Sequence, residues 1–130
     1  MLENLVVAIS GAVGRIGSAF ACAIVENGGK VIIGDINSEV GNRLVSDLGD
    51  DVALFFEGNL TEPNTVDLMI RKGIEKFGEI AAAVHCAYPI SEQWGTRFED
   101  LKSAGLEKDL FNQLGGAILF SQRMVHHFRK

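Results

Sequence analysis

The stretch Ala8–Phe20, AISGAVGRIGSAF, follows directly on the apolar run Leu5–Ile9, LVVAI, and how it folds decides what the rest of the chain can be. A continuous apolar run ended by Ser10-Gly11 predicts a strand buried on both faces, as in a parallel sheet. Behind it, Gly11, Gly14 and Gly17 stand at GxxGxxG spacing, ahead of a helical pattern from Arg15 to Asn27. In such a strand-turn-helix unit Gly11 permits the tight turn, Gly14 lets backbone approach a pyrophosphate, and Gly17 lets helix and strand pack closely. The amides and the positive end of the helix then face the phosphates. Glycines also cluster in ordinary strand-to-helix turns, so the motif needs context.

The rest of the chain supplies it. Ile16, Phe20, Ala23 and Ile24 form an apolar stripe on the first helix, which Gly28-Gly29 stops. Val31–Gly34 is a second strand ending at Asp35, and Ser38 is the expected N-cap of a second helix carrying Val40, Leu44, Val45 and Leu48, closed by Gly49. Val52–Phe56 is a third strand. After Thr61-Glu62-Pro63 a third helix places Val66, Met69, Ile70, Ile74 and Phe77 on one face, and Ile80–Val84 is a fourth strand. Residues 87–106 show no period and are expected to form a long loop, with Trp94 and Phe98 as its anchor or part of a lid. From 107 to 130 the pattern is helical again, with Leu110, Phe111, Leu114, Ile118, Val125 and Phe128 on its apolar side.

This order, with right-handed crossovers, predicts a Rossmann-like, doubly wound parallel α/β sheet of strand order 3-2-1-4. Ligands bind such sheets outside the carboxyl ends of the strands at the switch point, where Ser10-Gly11 and Cys86-Ala87 fall. Asp35 ends the second strand 18 residues beyond Gly17, where a carboxylate accepts hydrogen bonds from the two hydroxyls of an adenosine ribose. The same charge opposes a 2'-phosphate, which favours NAD over NADP. Arg15, in the glycine turn, can meet either a pyrophosphate or that extra phosphate.

Composition narrows the alternatives. The 130 residues suit one domain, 47% of them hydrophobic and 22% charged, with only 2 prolines. Net charge is −5, and residues 1–90 hold 12 acids against 6 bases, which makes the chain a poor nucleic-acid binder. No apolar run approaches the roughly 20 residues of a membrane span. The start, Met1-Leu2-Glu3-Asn4, lacks the basic flank of a signal peptide, so a cytoplasmic protein is expected. Cys22 and Cys86 have no ligand spacing and are expected as buried free thiols. No metal site is expected: adjacent His126 and His127 suit a solvated helix end, and His85 a structural role beside Cys86.

SGAVGRIG, the strand end GDIN, GNLTEP after the third strand and FNQLGGAILFSQ in the last helix together resemble the short-chain dehydrogenase/reductase family over essentially the whole chain. Within it, Ala87-Tyr88-Pro89 followed by QWGTRFEDL is similar to members associated with flagellin modification and nonulosonic-acid sugar pathways. The resemblance implies an NAD-binding portion of an oxidoreductase. Its cofactor contacts map to Ser10, Gly11, Val13, Gly14, Arg15, Ile16 and Gly17, to Asp35 and Ile36, to Asn59 and Leu60, and to Cys86, Ala87 and Tyr88. Asn59 stands where the family has an acid contacting the adenine amine, and its amide oxygen can take that contact. The family's Asn-Asn-Ala-Gly segment corresponds to His85-Cys86-Ala87-Tyr88, where only the alanine matches. A helix asparagine that holds a water in the family's proton relay maps to Asn112 or Gln113.

The family's acid/base pair, Tyr-x-x-x-Lys, has no counterpart here. The single tyrosine, Tyr88, is followed four residues later by Glu92, and Lys130 falls where the family begins its fifth strand. These residues alone are therefore expected to bind NAD weakly at best and to carry out no hydride transfer; the alternative is a stand-alone nucleotide-binding or regulatory module. The edge of the fourth strand and the apolar face of the last helix, including Leu114, Ile118 and Val125, are expected to drive homo-oligomerisation.

Overall fold

The computed structural model describes all 130 residues. Four parallel strands, β1 (Val6–Ser10), β2 (Lys30–Asp35), β3 (Ala53–Glu57) and β4 (Ile80–His85), form one sheet in the order β3-β2-β1-β4. The expected sheet topology is thus present. Each strand runs one residue further toward its carboxyl end than the apolar pattern alone suggests, because the ladder continues through polar Ser10, Asp35, Glu57 and His85.

Strand alternation sends residues to two separate cores. Val6, Ala8 and Ile32 pack with Val66, Met69 and Ile70 of α3 (Pro63–Phe77) and with Phe120 and Met124 of α5 (Gly116–Phe128). Val7, Ile9, Val31 and Ile33 face the other way, onto Ala21 and Ile24 of α1 (Arg15–Glu26), with Leu44, Val45 and Leu48 of α2 (Ser38–Leu48) alongside. Helices cover both faces, so all of β1 and Val31–Gly34 of β2 are buried and the continuous apolar runs have a cause.

Several helix details differ from expectation. The buried face of α1 is Gly17, Ala21 and Ile24, whereas Ile16, Phe20 and Ala23 point to solvent. The close approach of the helix at Gly17 rotates the small residues inward, and the bulkier apolar ones cannot share that face. The cap of α2 is Asn37 and not Ser38: its Oδ1 accepts the Val40 N–H at 3.1 Å. Val40 and Ile74, expected on buried stripes, are 37% and 41% exposed.

The segment after β4 is more structured than its composition suggests. A helical stretch begins at Ser103 and not at 107: α4 (Ser103–Leu110) passes through a π-helical turn (Phe111–Gly115) directly into α5. The irregular connection therefore shortens to residues 86–102, with one 3-10 turn at Phe98–Asp100. Its register is pinned by Ser91, whose N–H and hydroxyl both donate to the Asp109 carboxylate, at 2.5 and 2.8 Å. Further along, Arg123 on α5 holds Asp67 on α3 through two parallel N–H donors, at 2.7 and 2.5 Å, fixing the two helices of that face to each other.

Candidate functional site

All four strands end at one cleft of about 510 Å³. Gly11, Val13 and Gly14 form its floor, Gly34–Asn37 one wall, Gly58–Thr61 the far end beyond β2, and Cys86–Pro89 the opposite wall. A volume of this size at a switch point is what a cofactor site requires.

The floor is built by steric necessity at two glycines. Gly11 has φ +66°, and a Cβ there would lie 2.5 Å from the backbone of Ala87, so only glycine lets the turn touch the segment after β4. At Gly17 a Cβ would stand 2.3 Å from the Gly11 carbonyl oxygen and 2.6 Å from Ala12 Cα. Gly14 differs: it is exposed and extended, its nearest contact is 3.4 Å, and the space a side chain would fill opens outward. It caps α1 without any side-chain hydrogen bond, and the first turn of α1 carries no acid. The N–H groups of Arg15, Ile16 and Gly17 make no hydrogen bond within the chain and point out of the helix end toward the turn.

Asp35 is placed by two backbone donors. Its Oδ2 accepts from Val13 N–H at 3.2 Å and its Oδ1 from Asn37 N–H at 3.1 Å, which orients the carboxylate over the turn. Each oxygen keeps a second acceptor site. Asn59 behaves otherwise than expected. Its Oδ1 accepts from both the N–H and the hydroxyl of Thr61, at 3.1 and 2.8 Å, while its Nδ2 donates to Glu62 at 3.2 Å. Both lone pairs of the oxygen are engaged, so the side chain closes the turn before α3 and is not free for an adenine amine.

Among the residues singled out by sequence, Gly11, Val13, Gly14, Asp35, Ile36, Asn59, Leu60, Cys86, Ala87 and Tyr88 line the cleft. Ser10, Arg15, Ile16 and Gly17 do not. Ser10 is fully buried with its hydroxyl turned to His85, Gly17 is buried under the turn, and Arg15 and Ile16 are exposed beside it. Gly34, Asn37, Gly58, Thr61 and Pro89 line it without having been singled out. Glycines at strand ends were the available sign for two of them; nothing local marks Pro89 or Thr61. Cys22 and Cys86 are free but only half-buried, and Cys86 faces the cleft, with burial pushing its thiol pKa up. Of Asn112 and Gln113, the second reaches the cleft wall: its Nε2 donates to the Pro89 carbonyl at 3.1 Å. No group of three His, Cys, Asp or Glu side chains is placed to hold a metal ion, and no helix is long and apolar enough to cross a membrane.

His85 closes the sheet beneath the site. Its Nδ1 lies 2.6 Å from Ser10 Oγ, its ring packs on Phe120 with centroids 5.3 Å apart, and its buried Nε2 has no partner in the chain. Burial holds its pKa below the ordinary 6.5. The folded chain thus keeps His85 neutral while the unfolded chain takes up a proton near that value, so His85 stability is present above pH 6.5 and is lost as pH falls below it. Urea midpoints at pH 7.5 and pH 5.5 should show a smaller acid loss for His85→Asn than for the parent chain. An equal loss in both would contradict this assignment.

A doubly wound sheet with an uncapped helix end and a carboxylate flanking one cleft defines the dinucleotide-binding class of α/β proteins. Comparison with known proteins narrows it: residues 5–130 match the family model for short chain dehydrogenases, and the chain belongs to that family. It is 31% identical, over all of its length and 52% of the relative's, to the post-translational flagellin modification protein A of Campylobacter coli. It is also 31% identical to the 3-hydroxyacyl-CoA dehydrogenase type-2 of Drosophila melanogaster, over 67% of this chain and 34% of that one. The chain thus spans about half or less of these relatives.

Solved structures share the fold. A short-chain dehydrogenase/reductase of Brucella melitensis superposes with a TM-score of 0.86 at 20% identity, over 97% of this chain and 53% of that one. The 3-ketoacyl-(acyl-carrier-protein) reductase of the same organism, crystallised with NADH, gives 0.85 at 23%, over 98% and 52%.

Proposed function

We propose that the chain is the NAD-binding portion of a short-chain oxidoreductase. The observation that carries this reading is Asp35 on a cleft whose floor, Gly11–Gly14, runs directly into the unpartnered amides of Arg15, Ile16 and Gly17, a carboxylate for ribose hydroxyls near donors for a pyrophosphate. The adenosine ribose lies at Asp35, the pyrophosphate crosses Gly11–Gly14, and the nicotinamide half runs along Cys86–Pro89. A 2'-phosphate would meet the Asp35 carboxylate, so NAD is preferred to NADP. The NADH complex of the Brucella melitensis reductase, which has the same fold, supports a nicotinamide dinucleotide as the ligand. Of Ser10, Arg15, Ile16 and Gly17, outside the cleft lining, Gly17 acts by packing and the backbone of Arg15 and Ile16 by donation. Calorimetric titration of the chain with NAD tests the reading: saturable binding is expected, and no heat at millimolar NAD would defeat it.

Hydride transfer belongs to the whole protein in this reading. Gln113, tied to Pro89, is the proposed proton-relay position, and a tyrosine–lysine pair has no place among these residues, so NAD bound to this chain alone is not reduced. The similarity to the Campylobacter coli protein favours a role in flagellin modification, and a cytoplasmic location accompanies it.

Self-association is part of the same proposal. Leu106, Leu110, Leu114, Ile118 and Val125 form a stripe along α4 and α5, each 44–62% exposed, on the side away from buried Phe120 and Met124. A second copy of the chain covers that stripe. Sedimentation should give a dimer or larger species for the parent chain and a monomer for the double variant Leu114→Glu, Ile118→Glu; a parent monomer at high concentration counts against it.

A further inference from the structure

Tyr88, which lines the β4 end of the cleft, meets Trp94, just outside that lining, edge to face, with ring centroids 5.6 Å apart and planes at 83°. They are 60% and 57% exposed, and neither the phenol hydroxyl nor the indole N–H finds a partner in the chain. Such rings, left half in water, are an unusual use of large apolar area unless something lies against them. The segment bearing them is nonetheless held firmly. Ser91 is locked to Asp109, Trp94 N–H donates to the Ser91 carbonyl at 3.1 Å, Gln93 accepts from Lys102 N–H at 3.1 Å, and Gln113 holds the Pro89 carbonyl. A ring face fixed in advance binds a flat partner at little entropic cost.

We infer that Tyr88 and Trp94 form an aromatic seat that binds the oxidised nicotinamide ring in preference to the reduced one. The inference rests on the NAD reading above, and what it adds is a discrimination between redox forms. Tyr88 lines the same cleft as Asp35, at its other end. The ends of β2 and β4 flank β1, two strand spacings or about 10 Å apart. A dinucleotide with its adenosine at Asp35 and its pyrophosphate on the glycine turn brings its second ring to Tyr88.

That ring is a pyridinium cation when oxidised and a neutral dihydropyridine when reduced. An aromatic face attracts the cation through its quadrupole and has no such attraction for the neutral ring. Exposed Glu92 and Arg97 stand on either side of Trp94 in the loop and carry opposite charge, so the preference is assigned to the rings themselves. The net charge of −5 also favours the less anionic oxidised cofactor, but a substitution of either ring by leucine leaves that contribution in place.

The test compares dissociation constants for NAD+ and NADH in the parent chain and in Tyr88→Leu, Trp94→Leu and Trp94→Phe by calorimetry. Trp94 is the single tryptophan, so its fluorescence reports contact at this seat in the parent and in Tyr88→Leu. The parent should bind NAD+ about three- to five-fold more tightly than NADH, both leucine variants should lose most of that ratio, and Trp94→Phe should keep most of it. Both rings are more than half exposed, so these variants leave the core intact. A ratio unchanged by the leucine substitutions, or equal binding of the two forms by the parent, overturns the inference while leaving NAD binding standing. Binding of neither form by the parent overturns both.

Discussion

Gly17→Ala is expected to cost about 3 kcal/mol or more of folding free energy, a large part of what a domain of this size possesses. The added methyl would sit 2.3 Å from the Gly11 carbonyl oxygen and 2.6 Å from Ala12 Cα. Both are backbone atoms of the turn and cannot rotate aside as a side chain would, so α1 must move off β1. That movement shifts the amides of Arg15, Ile16 and Gly17 away from the glycine turn that floors the cleft, and NAD binding falls with stability. Urea denaturation should show a large drop in midpoint with little change in slope. Gly14→Ala is the informative contrast, because its methyl meets nothing closer than 3.4 Å and its backbone is extended. Stability should stay near that of the parent while NAD binding weakens. Equal midpoints for the parent and Gly17→Ala would show that the helix does not depend on this approach.

Asp35→Ala is expected to weaken NAD binding by about 2–3 kcal/mol, roughly 30- to 150-fold, through the loss of charge-assisted bonds to two ribose hydroxyls. NADP should lose far less, since the opposing carboxylate is gone, so the ratio of the two affinities narrows. The substitution also frees the N–H groups of Val13 and Asn37, both partly exposed, so a modest loss of stability accompanies it. Asp35→Asn separates the two effects: it keeps one acceptor oxygen for the backbone and removes the charge. Calorimetry with both cofactors on all three chains checks this. An unchanged NAD dissociation constant in Asp35→Ala would remove the basis of the cofactor assignment.

Much of the sheet was legible because burial on both faces leaves a mark in every strand. LVVAI, VIIG and IAAAV read as strands without further information, and the order β3-β2-β1-β4 follows from handedness once they are joined by helices. Helix faces were less legible. Ile16 and Phe20 have the right spacing for a core stripe, yet α1 presents Gly17 and Ala21 to the sheet, since its distance from β1 is set by the turn and not by hydrophobicity. The helical start at Ser103 was hidden because α4 has no buried residue of its own and no strong period to detect. Its position depends on the Ser91–Asp109 contact, across 18 residues of chain.

The cleft divides along the same line. Gly11, Gly14 and Asp35 were visible in the sequence because each does its work through local backbone geometry or through a charge at a strand end, and local pattern carries both. What Asn59 does was not visible, since an amide has two faces and only the neighbouring Thr61 and Glu62 decide which is used. Ser10 likewise follows the glycine motif in sequence but turns to His85 in space, because β1 and β4 lie side by side. The sequence by itself determined the dinucleotide-binding architecture and the family, since apolar period, glycine spacing and a terminal carboxylate are properties of short segments. Only the tertiary structure decided which side chains face the cleft and what they still have to offer, because each hydrogen bond made across strands removes a lone pair or donor that the sequence counts as free.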